Sequence, residues 1–123
     1  STGGRCMAIL FILNQQPYDG TDVTWNALRL AKRLYEDGEE VRIFLMNDSV
    51  DLARDGIVPP EGAEDMVAML KGLIAVDVPV KVCGTCQNRC GVLKGQPYYE
   101  GAQFSTMGEC AAWVASSDKV LTF

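Results

Sequence analysis

The stretch Val78-Pro79-Val80-Lys81-Val82-Cys83-Gly84-Thr85-Cys86-Gln87-Asn88-Arg89-Cys90-Gly91 joins an apolar run to three of the chain's five cysteines. Val78 to Val82 reads as the end of a strand, with Pro79 at an edge or first position, where a missing N–H costs least. Thiols crowded at the mouth of a strand point to metal ligands or to reactive sulfur. The type of sheet that delivers them is legible from the flanking sequence.

Upstream, Met7 to Leu13 is a continuous apolar run closed by Asn14-Gln15-Gln16-Pro17, the pattern of a strand buried on both faces. Asp19-Gly20-Thr21 makes a turn and a possible cap. Trp25, Leu28, Ala31 and Leu34 or Tyr35 then recur at helical spacing, and Gly38 is the expected left-handed stop. Val41 to Met46 is a second apolar strand. Asn47-Asp48-Ser49 is expected to cap a short helix reaching Arg54, with Asp48, Asp51 and Asp55 on its solvated face and cap. Ile57 to Gly62 is a loop, and Glu64 to Ala75 predicts another amphipathic helix. Downstream come a polar, Gly-rich passage (Gly95 to Gly101), a weak strand at Ala102 to Phe104, a helix over Met107 to Ala115, and a last strand over Val120 to Phe123. Tyr98, Tyr99 and Phe104 in this region fit either an interface or packing over their own sheet.

Strands alternating with helices predict a three-layer, doubly wound α/β fold: a mainly parallel five-stranded sheet with helices on both faces, flavodoxin-like or Rossmann-like. Ligands of such sheets bind beyond the carboxyl ends of the strands. The Asn14 to Gly20 loop, the Asn47 turn and the cysteine cluster all follow strand ends, so they are expected to share one rim.

With 123 residues the chain makes one domain, expected over residues 7–123. Residues 1–6 are expected to be a flexible lead-in, either foreign or a native frayed start. Eleven basic against sixteen acidic residues give a net charge of −5 and a pI near 4.6. That excludes a nucleic-acid surface, which needs clustered Lys and Arg. The apolar runs are too short to span a bilayer. An odd number of unevenly placed cysteines fits a reducing, cytoplasmic compartment better than a disulfide framework.

The thiols allow three readings. Free cysteines often simply fill core space. A metal site, zinc or iron–sulfur, would use Cys83, Cys86 and Cys90; with no histidine in the chain, Cys110 would have to complete a closed set. Thiolate chemistry is the third and preferred reading: Cys83 leaves a strand with Lys81 and Arg89 close in sequence, and a nearby cation lowers a thiol pKa. Gly84 allows a backbone or substrate to approach the sulfur. Cys86 could resolve a disulfide or persulfide formed on Cys83. The chain lacks the Gly-rich phosphate motifs and, without histidine, any Ser/His/Asp arrangement.

The opening strand with Asn14 to Gly20, Trp25-Asn26-Ala27-Leu28-Arg29-Leu30-Ala31, Val41 to Asp48, the Val78 to Cys86 segment and Ser117 to Phe123 together resemble the DsrE/DsrF-like family, especially its YchN-like branch. The resemblance implies homo-oligomers, trimers or hexamers; a sulfur carrier of this kind is expected to need no cofactor. It implies that Cys83 holds sulfane sulfur as a persulfide, taken from a donor protein and handed to an acceptor, as a sulfurtransferase-type carrier rather than a multiple-turnover enzyme. Cys86 matches the second cysteine of the branch's C-x-T-C pattern; Gly84, Thr85, Arg89 and Asn14 are the expected binding residues. Cys90 departs from the pattern, since many relatives have arginine there; either Arg89 supplies that charge one position early or the third thiol alters the chemistry.

Overall fold

The first strand, β1 (Ala8–Leu13), is buried on both faces, as a central strand of a parallel sheet must be. The structure, a computed structural model, describes residues 6–123. Residues 1–5 of the expected lead-in lie outside them; Cys6 is exposed and its thiol donates to the Gly38 carbonyl (3.2 Å). Helix α1 (Val23–Glu36) buries Thr24, Ala27, Leu28 and Ala31 at helical spacing. Gly38, at φ 91°, ends it: its N–H bonds the Tyr35 carbonyl and the Glu39 N–H bonds that of Leu34. Strand β2 (Glu40–Leu45) follows, then a 3-10 segment Asn47–Ala53.

Helix α2 (Met66–Ala75) begins two residues later than its apolar pattern suggests, because the Asp65 carboxylate caps the Ala68 N–H (3.0 Å). Strand β3 (Val80–Cys83) leads into a 3-10 turn, Thr85–Asn88. The short β4 (Gln103–Ser105), α3 (Met107–Ser116) and β5 (Lys119–Thr122) complete the fold. Thr106 caps α3 through the Glu109 N–H (3.2 Å).

All five strands are parallel, in the order β4-β3-β2-β1-β5. The chain steps outward from β1 to β4, then α3 carries it back to the far side of β1. Right-handed crossovers therefore place α3 on the face opposite α1 and α2. Side chains of β2 alternate accordingly. Arg42 donates to Ser116 Oγ (2.9 Å) and Phe44 meets Trp113 edge-on (6.3 Å), both on α3. Val41, Ile43 and Leu45 alternate with them toward the α1 and α2 side. Phe44 is fully buried, so truncating it to alanine costs about 3–5 kcal/mol. The carboxyl ends of β1, β2 and β3 deliver Asn14, Asn47 and Cys83 to the same rim. Among the described residues no helix is long and apolar enough to cross a membrane.

Candidate functional site: a dithiol at the carboxyl rim

Cys83 is the last residue of β3, and the chain turns directly into Thr85–Asn88. The turn closes through Gln87 N–H to Gly84 O (3.1 Å) and Cys90 N–H to Cys86 O (2.9 Å). The C-x-x-C unit is thus folded at the start of this turn, and the Cys86 side chain and the backbone N–H groups of Cys86 and Thr85 act on the Cys83 thiol. Both sulfurs are free thiols and both residues are buried, Cys83 8% and Cys86 9% exposed. Burial pushes the Cys83 thiol up, and the Cys86 side chain adds to the effect. The two backbone N–H groups pull the other way but do not reverse it.

Asn47 sits just beyond β2 in the left-handed region, φ 54°, a conformation asparagine tolerates better than most residues. Its N–H is thereby aimed at Cys86 Sγ (3.3 Å). Its side-chain Nδ2 donates to Asn14 Oδ1 (2.9 Å). Asn14 is held in turn by Phe123, whose carbonyl accepts from both the Asn14 N–H and Nδ2 (3.0 Å each). The ends of β1, β2, β3 and β5 are thus linked into one hydrogen-bonded chain that terminates on a sulfur. Asn14, singled out from sequence, belongs to it through Asn47.

A second feature of the site is a buried ion pair beneath the cysteine loop. Asp51 and Arg54 are both completely buried and pair at 3.1 Å, whereas the sequence placed Asp51 on a solvated face. The reason is the cysteine loop, which folds over this segment. Arg54 donates to the carbonyls of Gln87, Cys90 (2.9 Å) and Gln96 (3.2 Å), and its guanidinium lies 5.4 Å from the Tyr98 ring centre. Asp51 accepts from the N–H groups of Val92 (2.8 Å) and Leu93 (3.3 Å), and the exposed Asp48 accepts from Gly91 N–H (2.9 Å). Among the described residues no buried side-chain nitrogen or oxygen lacks a hydrogen-bond partner, which is what makes burying these charges tolerable. Asp55 is exposed, as expected, and pairs with Lys71 (2.7 Å).

Gly91 is what lets the loop approach. At φ 83° it occupies the left-handed region, and a Cβ there would collide with the Asp51 carboxylate and lie 2.8 Å from Arg54 Nη1. Gly84 also has a packing reason. The Phe104 ring occupies the space its Cβ would need, and Ser105 O would lie 3.0 Å away. That space is filled by Phe104, not left open to a substrate. Phe104 itself is 64% exposed. Tyr98 and Tyr99 pack over their own domain: Tyr98 Oη donates to Cys83 O (2.7 Å) and Tyr99 Oη to Leu52 O (2.8 Å).

The cations proposed from sequence do not act on Cys83. Lys81 shares a face of β3 with it, but Nζ pairs with Glu109 on α3 (3.3 Å) and rests 4.6 Å from the Trp113 ring centre. Arg89 ends the turn, exposed, with no ion-pair partner among the described residues. Neither contributes to the acidity of Cys83, which burial, Cys86 and Thr85 set. Thr85 serves through its backbone. Cys110 is buried on α3, its thiol pushed up by burial and then by Cys83. Cys90 is half-buried, its carbonyl held by Arg54. Among the described residues no three histidine, cysteine or acidic side chains converge as a metal ion requires. Cys83, Cys86 and Cys90 therefore do not form the ligand set weighed from sequence; the turn brings the first two together and the clamp on Arg54 fixes the third apart from them in role.

The profile of the DsrE/DsrF-like family matches residues 7–123. Protein YchN of Escherichia coli K12 is 40% identical over 117 residues, covering 94% of this chain and 97% of its own. An uncharacterized protein of Methanocaldococcus jannaschii is 37% identical over 117 residues, covering 95% of this chain and 100% of its own. The crystal structure of the E. coli ychN protein aligns with a TM-score of 0.82 at 39% identity, over 95% of this chain and 99% of that one.

Proposed function

The chain belongs to the DsrE/DsrF-like family, which is associated with sulfur relay, and from that footing we propose that it carries sulfane sulfur as a persulfide on Cys83 and passes it to a partner protein. The observation that supports this most is the setting of Cys83: a buried strand-end thiol on the ligand-binding rim, whose charged form the Thr85 and Cys86 backbone N–H groups favour. In the loading step the Cys83 sulfur attacks the outer sulfur of a donor persulfide. The donor leaves as a thiolate, and Cys83 becomes Cys83–S–SH. Transfer to the acceptor is the same displacement in reverse, with an acceptor thiol as nucleophile.

A raised thiol pKa means that Cys83 is protonated at neutral pH in the free chain, so its proton must leave as the donor docks. The thiolate alone is the nucleophile, and the turn amides are already in place to receive its charge. This arrangement slows the thiol toward electrophiles at neutral pH. The same reading gives the protein a cytoplasmic site of action, no cofactor, and a homo-oligomeric state, trimer or hexamer. Val114, Val120, Phe104 and Met107, exposed apolar side chains along α3 and the two edge strands, support the last point; light scattering at micromolar concentration checks it, and a monomer contradicts it.

The carrier reading is tested by incubating the protein with a low-molecular-weight persulfide and mapping the added sulfur by peptide mass spectrometry. Sulfur on Cys83, and its loss in Cys83→Ser, is the expected result. Undiminished uptake by Cys83→Ser removes the role.

A further inference from the structure

We propose a second fate for sulfur held on Cys83: Cys86 displaces it as hydrosulfide and leaves a Cys83–Cys86 disulfide, so that without an acceptor the protein converts sulfane sulfur to sulfide. This rests on the carrier reading. The two thiols stand at the start of one closed turn, Cys83 ending β3 and Cys86 inside the turn that Gln87 N–H to Gly84 O (3.1 Å) closes. Gly84 (φ −67°, ψ −38°) and Thr85, the two residues between the cysteines, are both helical, a β-turn that holds the flanking Cα atoms within about 7 Å, near the roughly 4.4–6.8 Å of a disulfide. Cys86 is also prepared to attack. Its sulfur already accepts the Asn47 N–H at 3.3 Å, and Asn47 is held by the Asn14 and Phe123 carbonyl relay. A hydrogen bond of this kind favours sulfur as it gains negative charge.

The loop cannot relax away from this geometry, because Arg54 holds the carbonyls of Gln87 and Cys90 on its far side. Burial of both residues restricts competing thiols from solution, while the neighbour inside the turn has the advantage of an intramolecular nucleophile. The step balances without an outside reagent. The Cys86 sulfur bonds to Cys83 Sγ as the bond from Cys83 Sγ to the outer sulfur breaks. The Cys86 proton passes to solvent, while the outer sulfur keeps its own proton, takes the electron pair and leaves as HS⁻. It is reduced by two electrons, supplied by the two cysteine sulfurs as they couple. Return to the dithiol needs a dithiol reductant, so one loading gives one sulfide and then stops.

Anaerobic mixing of the protein with glutathione persulfide, with bimane trapping of sulfide and acid-quenched peptide mapping, tests the proposal. The wild type is expected to release sulfide in step with a Cys83–Cys86 disulfide, well above a Cys83→Ser control. In Cys86→Ser the added sulfur stays on Cys83 and sulfide release falls by roughly tenfold or more, the internal nucleophile being lost. Wild-type protein that keeps sulfur on Cys83 while Cys86 remains alkylatable overturns this proposal and leaves the carrier reading standing. A disulfide to Cys90 instead also overturns it. Failure of the wild type to take up sulfur on Cys83 removes both. The wild-type disulfide map decides even if the serine variant does not fold.

Discussion

Replacing Arg54 with methionine separates the buried clamp from the thiols it supports. The substitution keeps much of the side-chain length but removes the guanidinium from Asp51 and from the carbonyls of Gln87, Cys90 and Gln96. Asp51 then remains at 0% exposure with amide donors from Val92 and Leu93 as its principal support. Removing one partner of a buried ion pair costs about 3–5 kcal/mol, most of it from the charge left behind. Domains of this size are stable by about 5–15 kcal/mol, so a large share of the margin goes. With a urea dependence of about 2 kcal/mol per molar, the midpoint falls by about 2 M. Trp25 and Trp113 provide the fluorescence signal for urea unfolding. If the uncompensated charge is the cause, adding Asp51→Asn to Arg54→Met costs less than the two single losses combined. Hydrogen exchange of the Val92 amide should accelerate in the same variant. A loss below about 1 kcal/mol, the ordinary worth of one hydrogen bond, refutes the clamp.

Gly91→Ala should destabilise by about 2 kcal/mol or more, since positive φ alone costs roughly 1–2 kcal/mol before the Cβ meets Asp51; thermal unfolding measures it, and a neutral result contradicts the close approach. Tyr98→Phe leaves Cys83 O without its 2.7 Å donor and should cost about 1 kcal/mol by urea titration. The Cys83 thiol is raised, so its alkylation should stay slow through neutral pH and climb only above the ordinary thiol value of about 8.5. For stability the sign is the same: an acid raised on folding adds stability below its unfolded pKa and loses it as pH passes the folded value. Iodoacetamide rates resolved by peptide follow this, and an inflection below neutral pH would mean a cation reaches the sulfur.

The sheet was legible because a parallel sheet needs strands buried on both faces, and Met7 to Leu13 and Val41 to Met46 carry little besides apolar side chains. The cysteine rim followed from strand direction. What sequence misplaced were charges whose partners lie far along the chain. Asp51 and Arg54, three positions apart, have the spacing of an exposed helical pair. The available signal was Val50, Leu52 and Ala53 around them, an apolar run with no outward stripe. Lys81 was assigned to Cys83, two residues away, because its partner Glu109 comes from α3, which only the crossover brings to that face.

The commitment of Lys81 to Glu109 explains how a thiol of raised pKa can still serve a relay. If Lys81 or Arg89 had lain against Cys83, the sulfur would be thiolate in solution and open to any electrophile. Instead Lys81 is committed to Glu109, and Cys83 keeps only the turn amides of Thr85 and Cys86. Backbone dipoles cost nothing to reorganise when charge appears on sulfur, so the site is ready for a thiolate without holding one. On this reading the proton-removing group comes with the donor. A small persulfide should therefore load Cys83 more slowly at neutral pH than at alkaline pH, whereas a cognate donor protein should flatten that dependence. Equal pH dependence with both donors would place the activating base within this chain and contradict the assignment.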